Sequence, residues 1–130
     1  AEVEKIRNIE KEPNIILLGD FNEDPDDQNV KLLSNIGLTS LMANMIDRNG
    51  IGTYIYRGTN YLYDQIIVSE EVLDKKGITI ADSSIYILDL PKYRQQDGKY
   101  KNYPFRFWAG DRLLGGYSDH LAIKVDLMLN

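Results

Sequence analysis

Four aliphatic residues in a row, Ile15-Ile16-Leu17-Leu18, stop abruptly at Gly19-Asp20-Phe21-Asn22. The run is short for a helix and too continuous for a half-exposed strand, which predicts a strand buried on both faces. Polar groups at the carboxyl end of such a strand are held by a rigid scaffold yet open to a crevice. If extended geometry persists through Phe21, Asp20 and Asn22 share one side and Phe21 anchors the other. Gly, Asp and Asn are also turn formers, so a plain turn after the strand is the competing reading.

A chain of 130 residues with 43% hydrophobic content fits one domain with a sizeable core. Its 15 basic and 20 acidic side chains leave a net charge of -5, which argues against a surface for duplex nucleic acid. A small phosphoester is compatible with that charge if metal ions reverse the local field. The absence of cysteine excludes a disulfide framework and a thiolate metal site. No apolar run approaches membrane-spanning length, and Ala1-Glu2-Val3-Glu4-Lys5 lacks the profile of a secretion signal.

Val3, Ile6 and Ile9 form a stripe that predicts the last turns of an amphipathic helix, ended by Pro13. A chain that opens in the body of a helix, with no capping residue before it, is expected to be the interior of a longer protein. Asp24-Pro25 predicts a second helix with Asp as cap, an apolar face of Val30, Leu32, Leu33 and Ile36, and Gly37 as its stop. The acids Glu23, Asp24, Asp26 and Asp27 lack the spacing of a calcium loop and read as cap and dipole partners. Leu38 to Ile46 is ambiguous and is expected as a short helix, followed by a turn at Asn49-Gly50 and Gly52.

Thr53 to Tyr56 and Tyr61 to Ser69 predict a hairpin closed by Arg57-Gly58-Thr59-Asn60. Asp64 interrupts that second strand. An ionised carboxylate amid so much apolar sequence needs a partner or costs several kcal/mol, unless it lies on the solvated face of an edge strand. Ser69 to Leu73 reads as a capped short helix, and Gly77 to Leu90 as one or two strands around Ala81 to Ser84. From Leu90 to Gly116, tyrosines, phenylalanines and Trp108 alternate with Lys92, Arg94, Lys99, Lys101 and Arg106. Such a loop either packs its rings on the body with its cations solvated, or stacks and clamps a nucleotide or sugar phosphate, with Arg106 the foremost cation for the second role. Leu121, Ile123, Val125 and Leu127 then alternate as a strand with one face in the core.

His120 is the single histidine, and it opens that last strand. Read alone, a lone histidine is structural. In chain order, however, stand a strand with Gly19-Asp20-Phe21-Asn22, a carboxylate within Tyr63-Asp64-Gln65-Ile66-Ile67-Val68-Ser69, Ser118-Asp119-His120 and a closing strand. Together they resemble the endonuclease/exonuclease/phosphatase family, the fold of pancreatic-type deoxyribonuclease. Gly115-Gly116-Tyr117 before Ser118 is similar to its bacterial branch, as in Bacteroidetes, which is compatible with a secreted or periplasmic setting without assigning one.

The resemblance implies that Asp20 positions or deprotonates the attacking water or assists the leaving oxygen. The resemblance likewise implies that Asn22 holds a phosphate oxygen and helps frame a metal site. By the same resemblance His120 would contact the scissile phosphate as general base or transition-state stabiliser, with Asp64 orienting it. Asp119 binds or orients a divalent metal, giving catalytic residues Asp20, Asn22, Asp64 and His120, a metal set of Asp119, Asp20 and Asn22, and substrate contacts from Asn22, His120 and Arg106. Phosphodiester hydrolysis needs an in-line water, charge neutralisation on the nonbridging oxygens and help for the departing oxygen. Oxygen ligands with few nitrogens favour Mg²⁺ or Mn²⁺ over zinc.

Family members are longer, and the asparagine and metal-ligating glutamate of their first half have no counterpart here. The expectation is therefore an α/β (α+β) chain, residues 1–130, forming the C-terminal half of a four-layer α/β/β/α sandwich, as one mixed sheet with helices on one face. An apolar sheet face would be left for the absent N-terminal half or a second copy, and the 130 residues alone would bind metal weakly and turn over slowly. The expected substrate is a phosphoester, either nucleic acid or a small phosphodiester. A non-catalytic binding or scaffold module with the same fold is the alternative function.

Overall fold

The computed structural model describes residues 2–45, 50–74, 77–82 and 84–130. In chain order it places α1 (Glu2–Ile9), β1 (Ile16–Asp20), α2 (Gln28–Leu32) running into a 3₁₀ turn (Leu33–Ile36), β2 (Leu38–Ser40) and a second 3₁₀ turn (Leu41–Met45). There follow β3 (Tyr54–Tyr56), β4 (Thr59–Tyr61), β5 (Asp64–Ser69), α3 (Glu70–Leu73), β6 (Ile78–Ile80) and β7 (Tyr86–Ile87). A 3₁₀ turn (Pro91–Tyr93), β8 (Trp108–Ala109), β9 (Arg112–Leu113), β10 (Ile123–Lys124) and β11 (Leu127–Leu129) complete the chain. The architecture is mixed α/β. In place of one mixed sheet, the described strands pair antiparallel in several small sheets: β1-β5-β2, then β3 with β4, β6 with β11, β7 with β10 and β8 with β9. The later strands are two or three residues long, too short to extend a ladder beyond one partner.

The strand buried on both faces is β5, not β1. Ile66 and Val68 join Met42, Leu62 and Val72 in one apolar cluster, while Ile67 on the opposite face joins Ile15, Val30 and Leu38 in another. Residues 65–69 are wholly inaccessible, and each such aliphatic side chain contributes about 1.5–3 kcal/mol, which makes β5 the centre of stability. β1 lies at the sheet edge, so Ile16 and Leu17 pack on opposite clusters but Leu18 remains 64% exposed. α1 and the α2 region, through Val3, Val30 and Leu33, cover one face of β5, and Val72 of α3 packs on the other.

Several local expectations shift for identifiable reasons. The α1 stripe buries only Val3 partly, with Ile9 89% exposed. Its neighbour Arg7 instead donates to the Ile36 carbonyl. Asp24 does not cap α2. Asp27 occupies that position, and the Asp24 carboxylate accepts the Leu62 N–H. Burial pushes the Asp24 carboxyl above its ordinary value, the Leu62 hydrogen bond pulls it back, and Asp27 and Asp26 add repulsion. Leu38 begins a strand because it pairs with Ser69 of β5, and helical geometry starts only at Leu41. Ile46 and the turn residue Asn49 lie outside the described residues.

Arg57 and Gly58 both have positive φ, 49° and 86°, so the hairpin closes in two residues of the primed type, and Thr59 and Asn60 belong to β4. The return strand breaks at Leu62-Tyr63, which lets β5 leave β3 and pair with β1 and β2. Ser69 precedes α3 without a side-chain cap, because its hydroxyl donates to the Pro13 carbonyl and accepts from Ile15 N–H. The closing strand divides into β10 and β11. Leu121 is buried there, whereas Leu127 is half exposed.

Candidate active site

The β1–β5 register sets Asp20 directly opposite Asp64 at the sheet end. Two carboxylates in that relation repel. His120 lies between them, its Nδ1 2.7 Å from Asp64 Oδ2 and its Nε2 4.0 Å from Asp20 Oδ2. The short contact fixes the tautomer: Nδ1–H donates to Asp64 and leaves Nε2 turned toward Asp20. Asp64 therefore has its partner and is not a solvated edge residue.

Each of these groups is held by backbone. Phe21 N–H donates to the Tyr63 carbonyl at 2.9 Å, carrying the β1–β5 pairing one residue further. The chain then turns, with Asn22 at φ 52° and its N–H on Asp20 Oδ1 at 2.8 Å. The turn and the crevice readings of Gly-Asp-Phe-Asn thus coexist, and extended geometry ends before Asn22. Thr53, wholly buried, accepts Leu121 N–H on its carbonyl at 2.8 Å, and its hydroxyl accepts Asp64 N–H at 3.3 Å. That one residue fixes the histidine and aspartate segments to each other. Ser118 accepts His120 N–H at 3.1 Å, and Tyr54 stacks on the imidazole with centroids 4.8 Å apart.

The loop after Asn22 is secured by the buried Gln65. Its amide nitrogen donates to the Glu23 and Leu62 carbonyls at 3.0 and 2.6 Å, and its oxygen accepts the Ser40 hydroxyl at 2.8 Å. Asp20, Asn22, Asp64, Asp119 and His120 line one polar depression of about 550 Å³, together with Tyr54 and Ser118. Arg106 approaches from the aromatic loop, its guanidinium 3.8 Å from Asp119. Gly116 makes that approach possible: a Cβ there would lie 2.1 Å from the Phe105 carbonyl oxygen, to which Tyr117 N–H donates.

A sequence model of the endonuclease/exonuclease/phosphatase family matches residues 1–128. The chain belongs to the endonuclease/exonuclease/phosphatase family. Its members are generally hydrolytic, acting on phosphoesters or nucleic acids. No curated protein and no solved structure matches the chain significantly.

Within this family member, the side chains brought together come from β1, β5 and the segment before β10. Tyr54, Thr53, Ser118 and Gln65 were not singled out by sequence as site residues. Gln65 stands beside Asp64 and Ser118 two residues before His120, so proximity to the motifs was the available signal. Thr53 and Tyr54 read as ordinary strand residues. Among the described residues, no group of three or more His, Cys, Asp or Glu side chains is arranged to hold a metal ion, and no helix is long and apolar enough to cross a membrane.

Proposed function

We propose that this chain is the C-terminal half of a four-layer family domain and carries the histidine side of a metal-dependent phosphoester hydrolase. The observation that carries the reading is the alignment of Asp64, His120 and Asp20 across an open polar depression. With its Nδ1–H on Asp64, the imidazole presents a bare Nε2 to the Asp20 carboxylate. Two acceptors 4.0 Å apart suit one water that donates a hydrogen bond to each. His120 takes the proton as that water attacks phosphorus, Asp20 orients the water, and the bond to the departing oxygen breaks on the opposite side. Asn22 and Arg106 serve the nonbridging oxygens.

Mg²⁺ asks of a protein only one or two carboxylates beside water and phosphate oxygens, and Mn²⁺ accepts similar donors. Asp119, with Asp20 and Asn22, would meet that demand in part, and the glutamate that the resemblance implies has no counterpart among these 130 residues. The ion would supply positive charge against the phosphate oxygens.

The test is hydrolysis of bis(p-nitrophenyl) phosphate by the complete family domain. His120→Ala is expected to lower the rate by about 10²–10⁴-fold. An unchanged rate overturns the role given to His120. The binding or scaffold alternative predicts no hydrolysis by either form.

A further inference from the structure

A second, larger concavity of about 770 Å³ adjoins the polar depression. One wall is the β3 hairpin with Tyr56 and Arg57; the other is the aromatic loop with Lys99, Tyr100 and Arg106. Two residues join the concavities. Tyr54 lines both, and Arg106 lines the larger one while its guanidinium contacts Asp119 of the smaller.

The charge distribution is informative. In a chain with net charge -5, none of the described residues lining this groove is acidic, while Arg57, Lys99 and Arg106 all face it. Two of these cations are paired with rings: Arg57 lies 5.1 Å from the Tyr56 centroid and Lys99 5.3 Å from that of Tyr100. Both rings are half exposed, so they are not spent on packing the core. Flat rings presented beside cations match a ligand that alternates planar bases with phosphates. A sugar phosphate would use the cations but brings no planar π face to the rings.

We propose that this groove holds the nucleotides flanking the scissile phosphate, which makes the substrate a single-stranded nucleic acid. The bases stack on Tyr56 and Tyr100, and their phosphates meet Arg57 and Lys99. Arg106 sits at the junction, where the strand passes toward His120. This inference rests on the hydrolase reading for its direction, but the binding it describes is measurable without turnover.

The experiment is fluorescence anisotropy of a fluorescein-labelled single-stranded deoxyoligonucleotide titrated with the complete family domain in EDTA. Tyr100→Ala is expected to weaken binding by about 5–150-fold, the range of one lost base stack. Arg57→Ala with Lys99→Ala should lower the slope of log affinity against log salt by about 1.4, since each neutralised phosphate contributes about 0.7 on single strands. These side chains are exposed, and circular dichroism verifies that the variants fold. Affinities within twofold of the unaltered chain, or competition by ribose 5-phosphate as strong as by a mononucleotide, overturn the proposal. Failure of the hydrolase reading would show separately, as His120→Ala retaining hydrolysis in the complete domain while these affinities are unaffected.

Discussion

Asp64 Oδ2 lies 2.7 Å from Nδ1 of His120, a residue 56 positions later in the chain, and this contact decides which imidazole nitrogen faces Asp20. On the proposed reading, Asp64 acts through His120 as a positioning residue. Asp64→Asn keeps the shape and removes the charge, so the imidazole loses its fixed tautomer. In the complete domain kcat should fall by about 10²–10⁴-fold with KM little changed. Nitrogen chemical shifts of the His120 ring should report mixed tautomers in the variant. A single unchanged tautomer would remove this role from Asp64.

Metal affinity follows from the donors. Asp20, Asn22 and Asp119 line one depression; if they hold the ion as proposed, calorimetric titration of the 130 residues with Mg²⁺ should show millimolar or weaker binding. Asp119→Asn and Asp20→Asn should each weaken it further. Micromolar binding that survives both substitutions would place the ion elsewhere.

Gly116 is required by distance. A methyl group 2.1 Å from the Phe105 carbonyl oxygen must push the two segments apart. Gly116→Ala should cost about 1–3 kcal/mol, read from the urea midpoint, and should loosen Arg106 from Asp119. A midpoint change equivalent to less than about 0.5 kcal/mol would mean that the loop yields without cost.

Two carboxylates give opposite pH signatures. The Arg94 guanidinium, hydrogen-bonded to both oxygens of Asp89, holds that carboxyl below its usual range, against a smaller opposing effect of burial. Its stabilising contribution is therefore present above the ordinary carboxylate pKa and lost as pH falls through the depressed value. Asp24 is raised chiefly by burial, so its ionisation costs stability as pH rises through the ordinary value toward the raised one. Asp24→Asn, which keeps an oxygen for Leu62 N–H, should raise Tm at neutral pH and lose that advantage near about pH 3. Asp89→Asn should lower Tm slightly at neutral pH and have no effect in acid below the depressed value. Equal shifts at both pH values would contradict these assignments.

The site was legible in the sequence to the extent that motifs announce themselves. Asp64 stood out because a carboxylate broke an apolar strand and Asp20 and Asn22 because an apolar run stopped at them, whereas Asp119 and His120 drew attention through the resemblance of the combined motifs; the fold sets all five in one depression. Burial was less legible. Four aliphatics in a row do not say whether a strand is central or at the edge, so Leu18 was expected inside and lies in solvent. Ser69 resembled a helix cap, yet its hydroxyl is claimed by Pro13 and Ile15, residues that no local window contains. Thr53 and Tyr54 escaped notice because their roles depend on partners far along the chain. The single mixed sheet failed for a related reason: periodicity marks strands but not which strand each one pairs with.

Thr53 joins the Asp64 and His120 segments, and Gln65 joins the Asp20 loop to β5. Two of these contacts, Leu121 with Thr53 and Gln65 with Glu23, join residues far apart in sequence. Closing such loops costs entropy before any native contact is gained, and pairings of this kind form late in folding. The arrangement of Asp20, Asp64 and His120 is thus a property of the finished topology. A partly folded chain, even with its α1 helix and β3–β4 hairpin in place, has neither carboxylate opposed to the other nor the histidine between them. During refolding, the pairing of His120 with Asp64 should mature with the last phase, making the site its own report on whether the chain has reached its native state.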